Sequence, residues 1–215
     1  MKKVSILLLG LIGASLFSQS TVLHNLNHNR LMSQVVNKIG VEEMVDGEYE
    51  GSPFLEKQFL PSTIKGENGT YLLRYNIYND ELILKNEDKY FKIPKEGLDY
   101  FNIDNKYIIR LINNTYYLQS SKEKGHYVIV RKENVKFTQA KASNNAYEPN
   151  RAAKFSNNKP DYFLYNINEK SLIPFNKEEL KKLFPGKTAE LDQIFKKSKF
   201  KSADDFDVLL GIISN

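Results

Sequence analysis

From Asp46 to Gln139 apolar residues recur at every second position, in short runs broken by Gly, Asn, Asp and Pro. Alternation at that period marks half-buried strands, and the breaks mark turns. The clearest pair is "YLLRYNIYNDELILK", Tyr71 to Lys85. Asn79-Asp80 suits a two-residue hairpin loop, because both residues tolerate positive φ. That turn sets Tyr78 opposite Glu81, Ile77 opposite Leu82 and Tyr75 opposite Leu84. Leu73, Tyr75, Ile77, Leu82 and Leu84 then share an apolar face, and Arg74, Asn76, Tyr78, Glu81, Ile83 and Lys85 share the other. A slip by one residue would exchange the faces, so the pattern holds the register.

The same reading extends in both directions. "GEYEGSPFL" carries a Gly-Ser-Pro turn, and Gly66–Gly69 forms a loop before the first hairpin. "KYFKIP" and "DYFNID" are further strands, and "YIIRLINNTYYLQ" is a second hairpin turning at Asn113-Asn114. Its pairing puts Tyr107, Ile109, Leu111, Tyr116 and Leu118 on one face and Arg110 beside Tyr117 on the other. "HYVIVRKENVKFTQ" adds one or two strands. Successive short strands with tight turns predict an antiparallel meander over 46–139, as a curled sheet or partly closed barrel.

The pattern then changes. Residues 140–160, rich in Asn, Ala and Lys with Pro149 and Pro160, read as a loop or linker. "DYFLYNINEKSLIPF" opens the 161–215 unit as one more hairpin. Three short helices follow. The first is capped by Asn176 with Glu179 and has a Leu180, Leu183 and Phe184 stripe. The second is capped by Thr188, with Leu191, Ile194 and Phe195 inward. The third is capped by Ser202, with Phe206, Leu209, Leu210 and Ile213 inward. Helices this short must pack together or on the sheet. The fold class is therefore α+β, mainly β, with a small helical C-terminus, and no fixed-period repeat stands out.

The N-terminal residues have a different logic. "MKKVSILLLGLIGASLFSQS" has a basic start and an apolar run from Val4 to Phe17, too short for a comfortable membrane span. Leu16 and Ser18 fit the −3 and −1 positions of a leader cleaved after Ser18. Residues 19–45 then form an N-terminal segment, with a short helix over about 29–39 ended by Gly40. Removing Lys2 and Lys3 from 31 basic residues leaves 29 against 26 acids, or +3. That balance is too mild to point to nucleic acid. No Cys is available for a disulfide, a lipid anchor or thiol chemistry, and no later run is long enough to span a membrane.

Several of these stretches look familiar together. "GSPFLEKQFLPSTI", "LLRYNIYNDELIL" and "YFLYNINEKSLIPFNKEELKKLFPGKTAELDQIF" resemble a group of exported proteins of flavobacteria and related Bacteroidota, for which no activity is assigned. The likeness covers most of 46–210. It implies a Gram-negative cell and a periplasmic or envelope-associated location, and it supplies no catalytic or binding residues to carry over.

Candidate chemistry is sparse. His24 and His28 are spaced to share a helical face, but no third metal ligand is evident, and His126 opens a strand. Nucleophile, phosphate-loop and dinucleotide motifs are missing, so no cofactor is implied. Asp80-Glu81 and Asp104 sit at turns, and Glu42-Glu43 reads as a solvated face. As a carboxylate pair, they make a hydrolase only a third reading. Arg74, Asn76 and Tyr78, with Arg110 and Tyr117, offer a guanidinium, amide and phenol set for an anionic or glycan ligand. The simpler alternative is that they stabilise the sheet through cross-strand contacts. Eight lysines against four acids between Asn176 and Lys201 suit an anionic surface or a solvated helical face. The leading expectation is an exported, non-catalytic binding or assembly component of the cell envelope. A small-ligand or glycan binder is the alternative.

Overall fold

The structure is a computed structural model and describes residues 49–87, 89–142 and 150–214. The leader, the 29–39 helix, His24, His28 and Glu42-Glu43 lie outside the described residues. Within them the chain is mainly β with a helical C-terminus, as the alternation predicts. The strands are β1 (Tyr49–Glu50), β2 (Leu60–Ile64), β3 (Tyr71–Asn76), β4 (Glu81–Asn86), β5 (Lys89–Lys92), β6 (Tyr100–Ile103) and β7 (Tyr107–Ile112). They continue with β8 (Thr115–Gln119), β9 (Tyr127–Lys132), β10 (Val135–Thr138), β11 (Ala153–Asn157), β12 (Asp161–Asn166) and β13 (Ser171–Pro174). The helices are α1 (Lys177–Leu183), α2 (Thr188–Lys197) and α3 (Ala203–Ile213), with a 3₁₀ turn at Pro185–Lys187.

Ten strands form one open antiparallel sheet in the order β13-β12-β9-β8-β7-β6-β2-β3-β4-β5. Two meanders, β2 to β5 and β6 to β9, meet where β2 pairs with β6. The sheet curls strongly. Tyr75 of β3 and Tyr116 of β8 touch edge to face at 5.8 Å, although three strands separate them in the sheet order. The inside of the curl is filled by Leu73, Tyr75, Leu82, Leu84, Phe101, Ile109, Tyr116 and Leu118, all buried.

The first hairpin differs from expectation in register but not in face. Asn76 pairs with Glu81 and Tyr75 with Leu82, so the loop holds four residues, 77–80, rather than two. The cause is Asn76, whose Oδ1 accepts the Asn79 N–H at 3.0 Å, while Asp80 takes positive φ. A shift of two positions preserves parity, so Leu73, Tyr75, Leu82 and Leu84 still point inward. The second hairpin turns at Asn113-Asn114 as expected. Both have positive φ, and Arg110 lies opposite Tyr117.

Two other expectations are corrected. Residues 153–157, read as linker, form β11 in a second, three-stranded sheet ordered β1-β11-β10. There β1 runs parallel to β11. Gly51 permits this contact: its φ is +79°, and a Cβ there would lie 2.1 Å from the Phe155 carbonyl oxygen. The hairpin at 161–175 belongs to the main sheet, because β12 pairs with β9 along six residues.

The helices cover the β9–β12 end of the sheet. Leu180, Leu191, Phe206, Leu209, Leu210 and Ile213 pack on Ile129 and Leu164. Each such burial stabilises by about 1.5–3 kcal/mol relative to exposure. Asn176 Oδ1 accepts the Glu179 N–H at 2.9 Å, and Ser202 with Asp205 closes a full capping box. Two details differ from the helical pattern. Leu183 stays exposed, and Thr188 donates to the Pro185 carbonyl instead of capping α2.

Candidate functional site

On the outer face of the first hairpin, Arg74 and Asn76 are engaged with neighbouring residues, while Tyr78 stays exposed. The Arg74 guanidinium lies over two rings, 3.8 Å from the Phe54 centroid and 4.3 Å from Phe59. Phe59 stacks in turn on Tyr90 at 5.3 Å. Arg74 Nη1 also donates to the Lys57 carbonyl at 3.2 Å. Cation–π contact with two rings of the 51–59 segment, together with the bond to Lys57, ties that segment to β3. Glu81, on the same face, is paired with Lys92. Asn76 is buried in its own turn, and Tyr78 packs its ring edge-on to Phe155 at 5.4 Å and Phe137 at 6.3 Å.

Arg110 and Tyr117 do come together, as a cross-strand pair. Arg110 is nearly buried. Its Nε donates to Gln119 Oε1 at 2.9 Å, its Nη2 pairs with Glu123, and its guanidinium lies over the Tyr100 ring. Tyr117 meets Phe163 edge to face at 5.7 Å. Strands β6 and β2 lie between Arg110 on β7 and Arg74 on β3. The two guanidinium groups therefore serve separate neighbourhoods.

The densest charged cluster forms around Asp80, which the sequence marks only as a turn residue. Its carboxylate accepts from Tyr75 Oη at 2.7 Å, Lys95 Nζ at 2.5 Å, the Tyr116 N–H at 3.3 Å, and Lys132 Nζ. Lys132 donates also to Tyr75 Oη and the Tyr116 carbonyl, and Lys95 to the Asn114 carbonyl. The Asp80, Lys95 and Lys132 side chains are each only about one-fifth exposed. Burial pushes the Asp80 carboxyl up, but hydrogen bonds from Lys132, Lys95 and Tyr75 outweigh it and hold the group below the usual carboxylate range. Burial holds Lys132 below the ordinary lysine range, since the one carboxylate is shared with a second ammonium. Burial, with Asp80 next to it, drives the Tyr75 and Tyr116 hydroxyls well above the phenol range. Asp80, Lys95, Lys132 and the Tyr75 hydroxyl satisfy one another, and the cluster fastens the 77–80 loop onto β8 and β9. It closes the curl where the sheet order leaves it open.

Other candidates have local structural duties. Asp104 has positive φ in its turn, with its N–H on the Pro61 carbonyl. The His126 ring packs on Tyr127 at 4.1 Å. Among the described residues no cluster of three His, Cys, Asp or Glu side chains could hold a metal ion. No described helix is long and apolar enough to cross a membrane. Comparison with known proteins gave no matching family model, no matching curated protein and no matching solved structure.

Proposed function

We propose that this chain is an exported, non-catalytic component of the cell envelope that binds or assembles with other envelope components through its outer surface. The observation that carries this reading is the packed interior of the curl. Strands β2 to β8 enclose tightly packed Leu, Ile, Phe and Tyr side chains, which leaves the exterior to make contacts. The residues best suited to grip an anion, Arg74 and Arg110, are held by rings, Gln119 and Glu123. The two carboxylates of the Asp80-Glu81 pair are each held by lysines, Asp80 by Lys95 and Lys132 and Glu81 by Lys92. An acid held below its usual range is a poor proton donor, which weakens the hydrolase reading. The leader-like start and the resemblance to exported Bacteroidota proteins supply the location. Affinity capture of the tagged chain from a detergent-solubilised envelope fraction, read by mass spectrometry, tests the proposal. A reproducible envelope partner supports it. Recovery of the bait alone, together with tight binding of a free glycan or small anion, would replace it with the ligand-binder reading.

A further inference from the structure

Lys196, Lys197, Lys199 and Lys201 fall within six residues where α2 ends and α3 begins, and all four are exposed. The helical unit has ion pairs elsewhere: Lys177 and Lys181 with Asp192, and Lys182 with Glu179. Among the described residues none of the four clustered lysines shares in an ion pair. The nearest acids in sequence are Asp192 on one side, which Lys177 and Lys181 already share, and Asp204 and Asp205 on the other. Asp205 is engaged with the backbone, accepting the Lys201 and Ser202 N–H groups at 3.0 and 3.3 Å. The α2 dipole favours Lys196 and Lys197 at its C-terminus, but Lys199 and Lys201 lie beyond the helix.

The connector is also held in place. Ser198 N–H donates to the Ile194 carbonyl, and Phe200 N–H donates to Ser198 Oγ at 3.2 Å. Phe200 itself sits at φ +48°, a left-handed conformation that is costly for an aromatic residue. Its ring is driven into a cluster with Phe195 at 4.8 Å, Phe175 at 5.0 Å and Phe206 at 5.7 Å. The packing of that half-buried ring holds a strained connector, with two ammonium groups on the last turn of α2 and two beyond it. The local rings face one another, so the connector offers charge rather than a stacking platform for a sugar. We infer that this connector docks on a membrane leaflet of anionic phospholipid headgroups. The inference goes beyond the proposed envelope role and is read on isolated protein, so its failure would leave that role standing.

The test is vesicle co-sedimentation of the chain recovered from the envelope fraction of producing cells. Vesicles of phosphatidylcholine alone are compared with vesicles containing phosphatidylglycerol. Each lysine near an anionic surface contributes about five-fold in partitioning. The variant K196Q/K197Q/K199Q/K201Q should therefore lose about 600-fold of its affinity for the anionic vesicles when all four lysines reach the surface, and about 25-fold when only two do. The wild type should bind more weakly as salt rises. A charge-matched control, K65Q/K89Q/K136Q/K159Q, removes four exposed lysines elsewhere and should keep most of the binding. Equal loss in both variants would mean net charge alone acts and would overturn the inference. So would undiminished binding by the connector variant, or wild-type preference for a soluble anionic polysaccharide over vesicles. Unchanged circular dichroism of the exposed-lysine variants shows that folding is not the cause.

Discussion

Asp80→Asn tests the idea that a charged latch closes the curl. Asparagine keeps the shape and tolerates the positive φ of this position, so the backbone is spared. What it removes is the one negative charge facing Lys95 and Lys132, and it places an NH₂ group among donors. Leaving a fully buried charge unpaired costs about 3–5 kcal/mol. The side chains here are about one-fifth exposed, so water recovers part of that and about 2–3 kcal/mol remains. For a chain of this length that corresponds to a melting temperature lowered by about 5–10 °C. Urea denaturation and thermal melting measure it directly. The pH dependence adds a second signature. The folded Asp80 carboxyl is held below its unfolded value, so its contribution is present above that unfolded value and is lost as pH falls through the folded one. Asp80→Asn should therefore show a shallower loss of stability at acid pH than the wild type. A variant within about 0.5 kcal/mol of wild type, with an unchanged acid limb, would refute the latch.

Three further substitutions probe separate parts of the fold. The Tyr116 hydroxyl is fully buried with no hydrogen-bond partner among the described residues, so Tyr116→Phe should be neutral or stabilising by up to about 1 kcal/mol in urea melts. A loss above about 1 kcal/mol would mean the hydroxyl is satisfied. Gly51→Ala forces a Cβ toward the Phe155 carbonyl and should detach β1 from β11. Faster tryptic cleavage after Lys154 would report it, and cleavage at the wild-type rate would count against the parallel pairing. Arg74→Ala removes the guanidinium from over Phe54 and Phe59, at a cost of about 1–2 kcal/mol. Hydrogen exchange should rise locally at Leu55, whose amide bonds to Tyr75, and unchanged protection there would show that the ring contacts do not hold the segment.

What could be read from the sequence was what depends on parity and on the Asn176 and Ser202 caps, whereas the Thr188 cap did not form. The inward faces of both hairpins and the inward residues of α3 follow from periods of 2 and 3.6, which survive small errors of register. The loop length at 77–80 did not follow, because it is set by the Asn76 side chain. A signal for it was present: Tyr75-Asn76-Ile77, Phe101-Asn102-Ile103 and Tyr165-Asn166-Ile167 each precede a turn. In two of them the Asn Oδ1 accepts turn N–H groups. Strand β11 was hidden because only Ala153 and Phe155 point inward, within a polar stretch. The roles of Arg74 and Asp80 could not be read locally. Phe59 and Phe54 reach Arg74 from the preceding segment, and Lys132 reaches Asp80 from 52 residues away.

An envelope role requires that the chain reside in the envelope. Intact-mass analysis of the native protein from fractionated cells measures this directly. The expected result is a chain beginning at Gln19 in the periplasmic or envelope fraction. A chain retaining its first eighteen residues and confined to the cytoplasm would contradict an envelope role outright.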